Sequence, residues 1–273
     1  MLFASLAESN QYHQLRHPFV RDLAWCCLSP PLLSDLPGSQ AQILPLPDVN
    51  IWPWLHALDK TLAESGDDQV VAIKHNRLGI YYENLWRFYF THSPQWQLLA
   101  HNLPVIRNKA TLGAFDFLCR HGDDYWHIET AVKFYLCQSP DPQAAQKWEH
   151  WLGPNSQDRL DLKLSRLRDH QLPLHQTPEA VQLLQTHFPA ARQWLTGLCL
   201  QGYLFSPAPV DVDITKLQPG NFFQPYKGHE YHARGLWWYL KDFLALLKKE
   251  EAAAEGICWI MLQPEQWLSP IQL

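Results

Sequence analysis

The chain has 273 residues, a formal net charge of −5 and a hydrophobic content of 47%. This content is enough to bury a substantial core, which excludes intrinsic disorder. The negative charge excludes a protein-wide positive field that would attract nucleic acid, so any such role needs a local basic patch.

Neither a membrane span nor a signal peptide is predicted. No apolar run approaches the length of a span, and the N-terminus lacks a basic start followed by a long apolar run. The six cysteines are scattered and form no C-x-x-C pair, which indicates buried free thiols in a reducing compartment. We therefore expect a cytoplasmic protein.

The N-terminal part is predicted to be helical, with one proline-rich interruption. Helices are expected over Pro18–Leu28, 51–65 and 78–90, from their apolar spacing and their flanking breaks. Residues 29–50 contain five prolines and are predicted to form an extended connector laid over the surface. The helix over 78–90 is apolar nearly all round, so we expect it to be buried against a sheet.

A strand over 98–106 and a β-hairpin over 111–136 are predicted next. The second half of the hairpin alternates apolar and polar side chains, which is typical of a strand with two different faces. If 121–124 is the turn, residues whose numbers sum to about 245 face each other, and Asp116 lies opposite Glu129. Two carboxylates so opposed lie roughly 5 Å apart at Cβ and repel each other, which indicates a compensating cation.

The C-terminal half mixes helical and strand patterns. Helices are predicted over 142–152, 157–170, 178–195 and 229–251, and strands over 197–205 and 256–262. Because helices and strands are interleaved, we expect one α/β domain over 1–273, with a core at about 70–140 plus the C-terminal strands.

Three acidic residues and one lysine stand out: Glu83, Asp116, Glu129 and Lys133. Their order, helix-Glu, strand-Asp, strand-Glu and then Lys, resembles the PD-(D/E)XK phosphodiesterase superfamily. The resemblance implies a restriction-endonuclease-like core, in which a central mixed sheet is flanked by helices. It also implies that the three acids hold Mg²⁺ (or Mn²⁺), that the lysine positions or activates the attacking water, and that the substrate is nucleic acid.

At a finer level the chain resembles the bacterial family DUF1853, whose function is not established. The segments that carry this resemblance are RHPFVRDLAW (16–25), SPPLL (29–33), RLGIYYENLWRFYF (77–90), TLGAFDFL (111–118), HIETAVKFYL (127–136) and GPNSQDRLDLKLSRLRDHQL (153–172).

The lysine departs from the superfamily pattern. An E-x-K motif places the two side chains about 6–7 Å apart along one strand face, whereas the spacing from Glu129 to Lys133 gives about 13 Å. Ala131 occupies the expected lysine position. A β-bulge could shorten the path, Lys133 could reach back along the face, or the site could lack its lysine.

Structural roles are open for the same residues. Glu83 could pair with Arg87 at i+4, and Lys133 could form a salt bridge with another carboxylate. A register slip could separate Asp116 from Glu129, or both could face solvent on an uncovered sheet. The sequence therefore leaves two functions open: a metal-dependent nuclease, or a non-catalytic nucleic-acid- or protein-binding module with a degenerate site.

Three further segments have functional hypotheses of their own. The basic helix over 157–170 could contact phosphate or could be an ordinary amphipathic surface helix. His229 and His232 resemble a zinc sequence but lack a third ligand nearby. The Trp-rich C-terminal half, around Trp237 and Trp238, could bind a protein partner.

Overall fold

A computed structural model describes residues 11–12, 14–47, 49–65, 77–137, 146–153 and 157–207, together with the backbone of Gly235–Tyr239 and Ile260–Gln263. The α-helices are α1 (Pro18–Leu28), α2 (Trp52–Ser65), α3 (Leu78–His92), α4 (Leu160–Arg166) and α5 (Pro178–His187). The strands are β1 (Gln42–Ile43), β2 (Trp96–Arg107), β3 (Ala110–His121), β4 (Asp124–Cys137), β5 (Trp151–Leu152), β6 (Trp194–Pro207), β7 (Gly235–Tyr239) and β8 (Ile260–Gln263).

One mixed sheet organises these elements. Its main path is β2-β3-β4-β6-β7-β8, with β1 paired to β6 and β5 paired to β4. The meander β2-β3-β4 is antiparallel, whereas β4, β6, β7 and β8 run parallel to one another. Helices lie on both faces of the sheet, so the predicted α/β class with a mixed sheet and flanking helices is confirmed.

Helices α1, α2 and α3 cover one face of the sheet. On α3 the buried side chains follow i, i+3, i+4, i+7, i+8 spacing, which defines a single core-facing stripe; they are Tyr82, Leu85, Trp86, Tyr89 and Phe90. They pack with Phe117, Trp126 and Ile128 of the sheet. The outer side of α3 faces solvent, since Leu78 is 52% exposed.

The proline-rich connector was predicted to lie on the surface, and this prediction is wrong. Its leucines 32, 33, 36 and 44 are buried, three of them in the core cluster on the second face of the sheet. The backbone amide of Leu32 donates to the carbonyl of Leu200 at 2.6 Å, and that of Leu44 donates to Leu198 at 2.9 Å. The segment is extended, but its leucines need burial, so it runs against β6.

In the described part of the chain, three segments predicted to be helical are partly or wholly non-helical. Residues 148–152 form a 3₁₀ turn (Trp148–His150) followed by β5, and α5 stops at His187. The stop has a local cause, because Phe188 precedes Pro189 and proline disfavours helical backbone in the residue before it. Within the predicted helix over 229–251, Gly235–Tyr239 is strand β7, whose Trp- and Tyr-rich sequence suits a sheet.

The remaining C-terminal predictions concern residues outside the described ones. These are the zinc hypothesis at His229 and His232, the protein-binding hypothesis at the Trp237 and Trp238 side chains, the rest of 229–251 and the start of the strand predicted over 256–262. That strand is observed over Ile260–Gln263.

Five of the six cysteines lie in the described part of the chain, and all five are buried free thiols, as predicted. Cys258 lies outside that part. Among the described residues, no helix combines the length and the hydropathy that a membrane crossing requires.

Candidate functional site

The hairpin places Asp116 and Glu129 together in the predicted register. The pairs run from His121 opposite Asp124 to Phe117 opposite Ile128, so paired numbers sum to 245. Gly122, the first of the two residues between the strands, has φ +60°, a conformation that glycine adopts without steric cost. The register slip considered above does not occur.

Beyond the pair Phe117–Ile128 the two strands separate, and hydrogen bonds to side chains replace the backbone pairing. The amide N–H of Thr130 donates to Asp116 Oδ2 at 3.0 Å, and the amide N–H of Asp116 points to Glu129 Oε1 at 3.5 Å. Beyond this point β3 continues against β2, and β4 continues against β6. The carboxylates therefore sit at the opening between two separating strands.

Glu129 is fully buried and is held on both sides. His127 Nε2 lies 2.8 Å from Oε1, and the Gln171 side-chain amide donates to Oε2 at 2.6 Å. Both Glu129 and His127 are 0% exposed. Burial lowers the pKa of His127 to about 4, so the imidazole is neutral at physiological pH.

Both carboxyl groups are difficult to ionise in this setting. Burial and then the charge of Glu129 raise the pKa of Asp116 to about 7. Burial, with a contribution from Glu83, raises the pKa of Glu129 to about 7 as well. At neutral pH the pair therefore carries charge that the surrounding protein only partly compensates.

Glu83 reaches this pair from α3, on the side open to solvent. Its Oε1 lies 2.7 Å from His101 Nε2 and accepts from Asn102 Nδ2 at 2.7 Å. Asn102 adopts φ +51° in β2, a left-handed conformation that asparagine tolerates. The hydrogen bond with His101 lowers the pKa of Glu83, so this third acid is ionised. Its hydrogen-bond partners are therefore His101 and Asn102, and not Arg87, the possible i+4 partner considered from the sequence.

Lys133 does not join the acids. Its ammonium group forms a salt bridge with Asp158, whose other carboxylate oxygen accepts a hydrogen bond from the Tyr135 hydroxyl at 3.2 Å. The salt-bridge role that the sequence left open for Lys133 is the one the structure shows.

The cation beside the acids is Lys163 of α4. Its charge lowers the pKa of both Asp116 and Glu129, while burial lowers its own pKa. The Lys163 ammonium donates to Gln171 Oε1 at 3.2 Å. The predicted basic helix thus contributes one partly buried cation to this site.

The rest of that helix follows the amphipathic alternative. Leu160, Leu164 and Leu167 are buried, and Arg159 is neutralised by Asp161 at 2.6 Å. The sequence could not single out Lys163, because it is one of several basic residues in an amphipathic pattern.

The assembled group consists of three carboxylates and one ammonium that interact electrostatically: Glu83, Asp116, Glu129 and Lys163. Carboxylate oxygens suit a hard divalent cation such as Mg²⁺. As they stand, the described residues contain no group of three or more His, Cys, Asp or Glu side chains placed to hold a metal ion. The arrangement thus offers two juxtaposed carboxylates and a nearby lysine.

Comparison with known proteins identifies a family. No curated protein and no solved structure matches the chain. One family model, described as "Domain of unknown function (DUF1853)", matches residues 21–273. Because this match covers most of the sequence, the chain belongs to the DUF1853 family.

Proposed function

We propose that the protein is a divalent-cation-dependent phosphodiesterase that acts on nucleic acid, with Asp116 and Glu129 as the cation ligands. The observation that carries the proposal is the pair itself: two carboxyl groups brought together where two strands fork, each with a pKa raised to about 7. Placing like charges in a poorly solvated site is unfavourable, and a divalent cation would relieve that cost.

The donor chemistry fits Mg²⁺ or Mn²⁺. Mg²⁺ is commonly bound by one or two protein carboxylates, and its other positions are filled by water and substrate phosphates. A carboxylate has about four lone-pair sites, so Glu129 can keep its bonds with His127 and Gln171 and still offer oxygen to a cation. When bound, such a cation neutralises phosphate oxygens and lowers the pKa of a bound water.

The chain's own residues have separate parts in this mechanism. Asp116 and Glu129 hold the cation at the fork, and Glu83 completes the acidic group from the solvent side, where its side chain is 25% exposed. The fixed partners of Glu129 hold its orientation, which tightens ligand geometry. The ammonium group of Lys163 stabilises negative charge that develops on the phosphate oxygens.

This assignment moves the lysine role from Lys133 to Lys163. Lys133 is occupied by Asp158, whereas Lys163 interacts with both acids. A lysine supplied by α4 makes the long spacing between Glu129 and Lys133 irrelevant to the chemistry. The resemblance to the PD-(D/E)XK superfamily supports nucleic acid as the substrate class.

Metal binding is the first test. Addition of Mn²⁺ or Mg²⁺ to EDTA-treated protein should raise its melting temperature in a saturable way, since a ligand that binds only the folded state stabilises it. Asp116→Asn should abolish this response and should also abolish cleavage of labelled single- and double-stranded DNA and RNA.

A matched control is Glu179→Gln on α5, which removes a carboxylate that is paired with Arg107. This variant should keep the full metal response. A wild-type protein that binds neither cation in calorimetry would contradict the proposed function.

The two lysines provide a second prediction. Lys163→Met should reduce cleavage by roughly 10²-fold or more, as loss of a group that stabilises transition-state charge does. Lys133→Met should leave cleavage within about threefold, because it breaks only a partly exposed ion pair. Initial rates at saturating Mn²⁺ measure both effects. Equal losses in the two variants would remove the distinction drawn here.

A non-catalytic binding module is the second candidate, and one observation favours it. Each oxygen of Glu129 already has a protein partner, so the group is held in place without a cation. Saturable metal-independent binding of DNA or RNA without cleavage would support this function.

A further inference from the structure

We propose that Gln171 is a positioning residue, which ties the Glu129 carboxylate to the Lys163 ammonium and fixes both at the site. The side-chain amide makes one bond to each group: Nε2 donates to Glu129 Oε2 at 2.6 Å, and Oε1 accepts from Lys163 Nζ at 3.2 Å. The functional role of this bridge rests on the proposed function, because fixed positions of Glu129 and Lys163 matter for activity only if the site binds a cation.

The chemistry of the amide allows one orientation only. A carboxylate accepts hydrogen bonds and an ammonium group donates them, so the NH₂ end must face Glu129 and the oxygen must face Lys163. Both are hydrogen bonds to charged groups when those groups are ionised, and such bonds are the stronger kind. One uncharged side chain thus satisfies an anion and a cation together.

A break in helix geometry brings Gln171 to this position. The chain passes from α4 into a π-helical turn, Leu167–Gln171, and then into a 3₁₀ turn, Leu172–Gln176. Pro173 has no N–H to donate, so a regular α-helical ladder cannot continue through it.

The π-turn changes the face on which residue 171 lies. In an uninterrupted α-helix, Gln171 would share the apolar face of Leu160, Leu164 and Leu167 and would sit about 80° around the axis from Lys163. A π-turn, with i→i+5 bonds, holds more residues per turn and rotates the next residues back. Gln171 therefore turns out of the leucine core and into line with Lys163.

The hydrogen bonds of Gln171 connect a helix to a strand of the sheet. Lys163 comes from α4, Glu129 comes from β4, and their contact through Gln171 depends on neither element alone. The packing of α4 brings Lys163 near the acids, and the two hydrogen bonds of Gln171 fix the ammonium group relative to Glu129.

The test compares Gln171→Met with Gln176→Met. Gln171→Met removes both bonds at nearly constant length with a good helix former, and Gln176 is an exposed glutamine in the following 3₁₀ turn. The first readout uses metal-free protein: the ¹⁵N–¹H signal of the Lys163 ammonium, which is visible only when hydrogen bonding and burial slow its exchange with water. We expect this signal in wild type and in Gln176→Met and its loss in Gln171→Met.

The second readout is Mn²⁺ affinity by calorimetry. Gln171→Met should weaken binding by roughly 10-fold or more, which is typical when a partner of a metal ligand is removed. Gln176→Met should change it by less than about twofold, within the scatter of surface substitutions. Should methionine prevent folding, Gln171→Glu retains an acceptor for Lys163 and should retain the ammonium signal.

The outcomes separate this inference from the proposed function. If wild type binds Mn²⁺ but Gln171→Met changes neither the affinity nor the ammonium signal, the inference is wrong and the proposed function stands. If wild type does not bind Mn²⁺, the proposed function fails together with this use of Gln171, even where the ammonium signal shows that the bridge exists. An ammonium signal that is absent from wild type overturns the bridge itself.

Discussion

Gly202→Ala is expected to destabilise the protein by more than about 4 kcal/mol. Gly202 has φ +131°, and it pairs with Lys133 in the parallel ladder between β4 and β6. A Cβ atom at this position would lie 1.8 Å from the carbonyl oxygen of Lys133 and 2.7 Å from its carbonyl carbon. These are backbone atoms, which cannot rotate away as a side chain can, so the two central strands would have to separate.

A loss of this size takes up much of the 5–15 kcal/mol that typically stabilises a domain. We therefore expect the variant to be insoluble on expression or to unfold at a much lower urea concentration, as measured by circular dichroism.

Gly79→Ala is the matched control for this substitution. Gly79 lies in the first turn of α3, and a Cβ there would meet no atom within 4 Å. Alanine is a better helix former than glycine, so this variant should gain up to about 1 kcal/mol. A Gly202→Ala protein with wild-type stability would mean that β4 and β6 do not pair in this register.

The hairpin shows what could be predicted from local sequence. Its turn residues and the alternation in β4 were sufficient to fix the register, and the register placed Asp116 opposite Glu129. Both signals depend only on neighbours along the chain. The same was true of α1, whose proline start and Ser29-Pro30 end predicted the bounds Pro18–Leu28 that the structure shows.

The missed parts depend on contacts between distant segments. The connector leucines looked like surface residues between prolines, and only the backbone bonds to β6 reveal their burial. A helix was predicted over 229–251, yet Gly235–Tyr239 pairs with β6 and β8.

The lysine of the site was missed for the same reason. The E-x-K pattern places a lysine on the strand of Glu129, whereas Lys163 lies on α4, much further along the chain. The signal that existed was the basic character of that segment. Which of its cations faces the acids depends on the packing of Leu160, Leu164 and Leu167, and the role of Gln171 depends on a π-turn that no propensity predicts.

Metal-free Asp116→Asn protein is expected to become more stable than wild type as the pH rises. The native protein holds the Asp116 proton up to a pKa of about 7, whereas the unfolded chain releases it near the usual 3.8. Between these values the native state binds more protons than the unfolded state, so the stability of wild type falls with increasing pH. The raised pKa of Glu129 acts in the same direction.

The wild-type profile alone does not isolate this effect, because His127 opposes it. Its pKa is lowered from 6.5 to about 4, so the unfolded chain binds the extra proton and stability rises with pH over that interval. The difference between wild type and Asp116→Asn removes most of this contribution. Asparagine stays neutral and can still accept a hydrogen bond from the Thr130 amide. The free energy of unfolding of Asp116→Asn, relative to wild type, should therefore rise by roughly 2–3 kcal/mol between pH 5 and pH 8.

Urea unfolding in EDTA at several pH values measures this difference, and Mn²⁺ should reverse the order at pH 8. In wild type the bound cation offsets the free-energy cost of ionising Asp116. In the variant one of the two carboxylate ligands is missing, so the cation gives no such stabilisation. Glu179→Gln serves as the control of opposite sign, because Arg107 lowers the pKa of Glu179 to about 2 and favours its charged form. That variant should gain nothing as the pH rises. Parallel stability profiles for wild type and Asp116→Asn would show that Asp116 does not share a poorly solvated site with Glu129, and the case for a cation there would lose its physical basis.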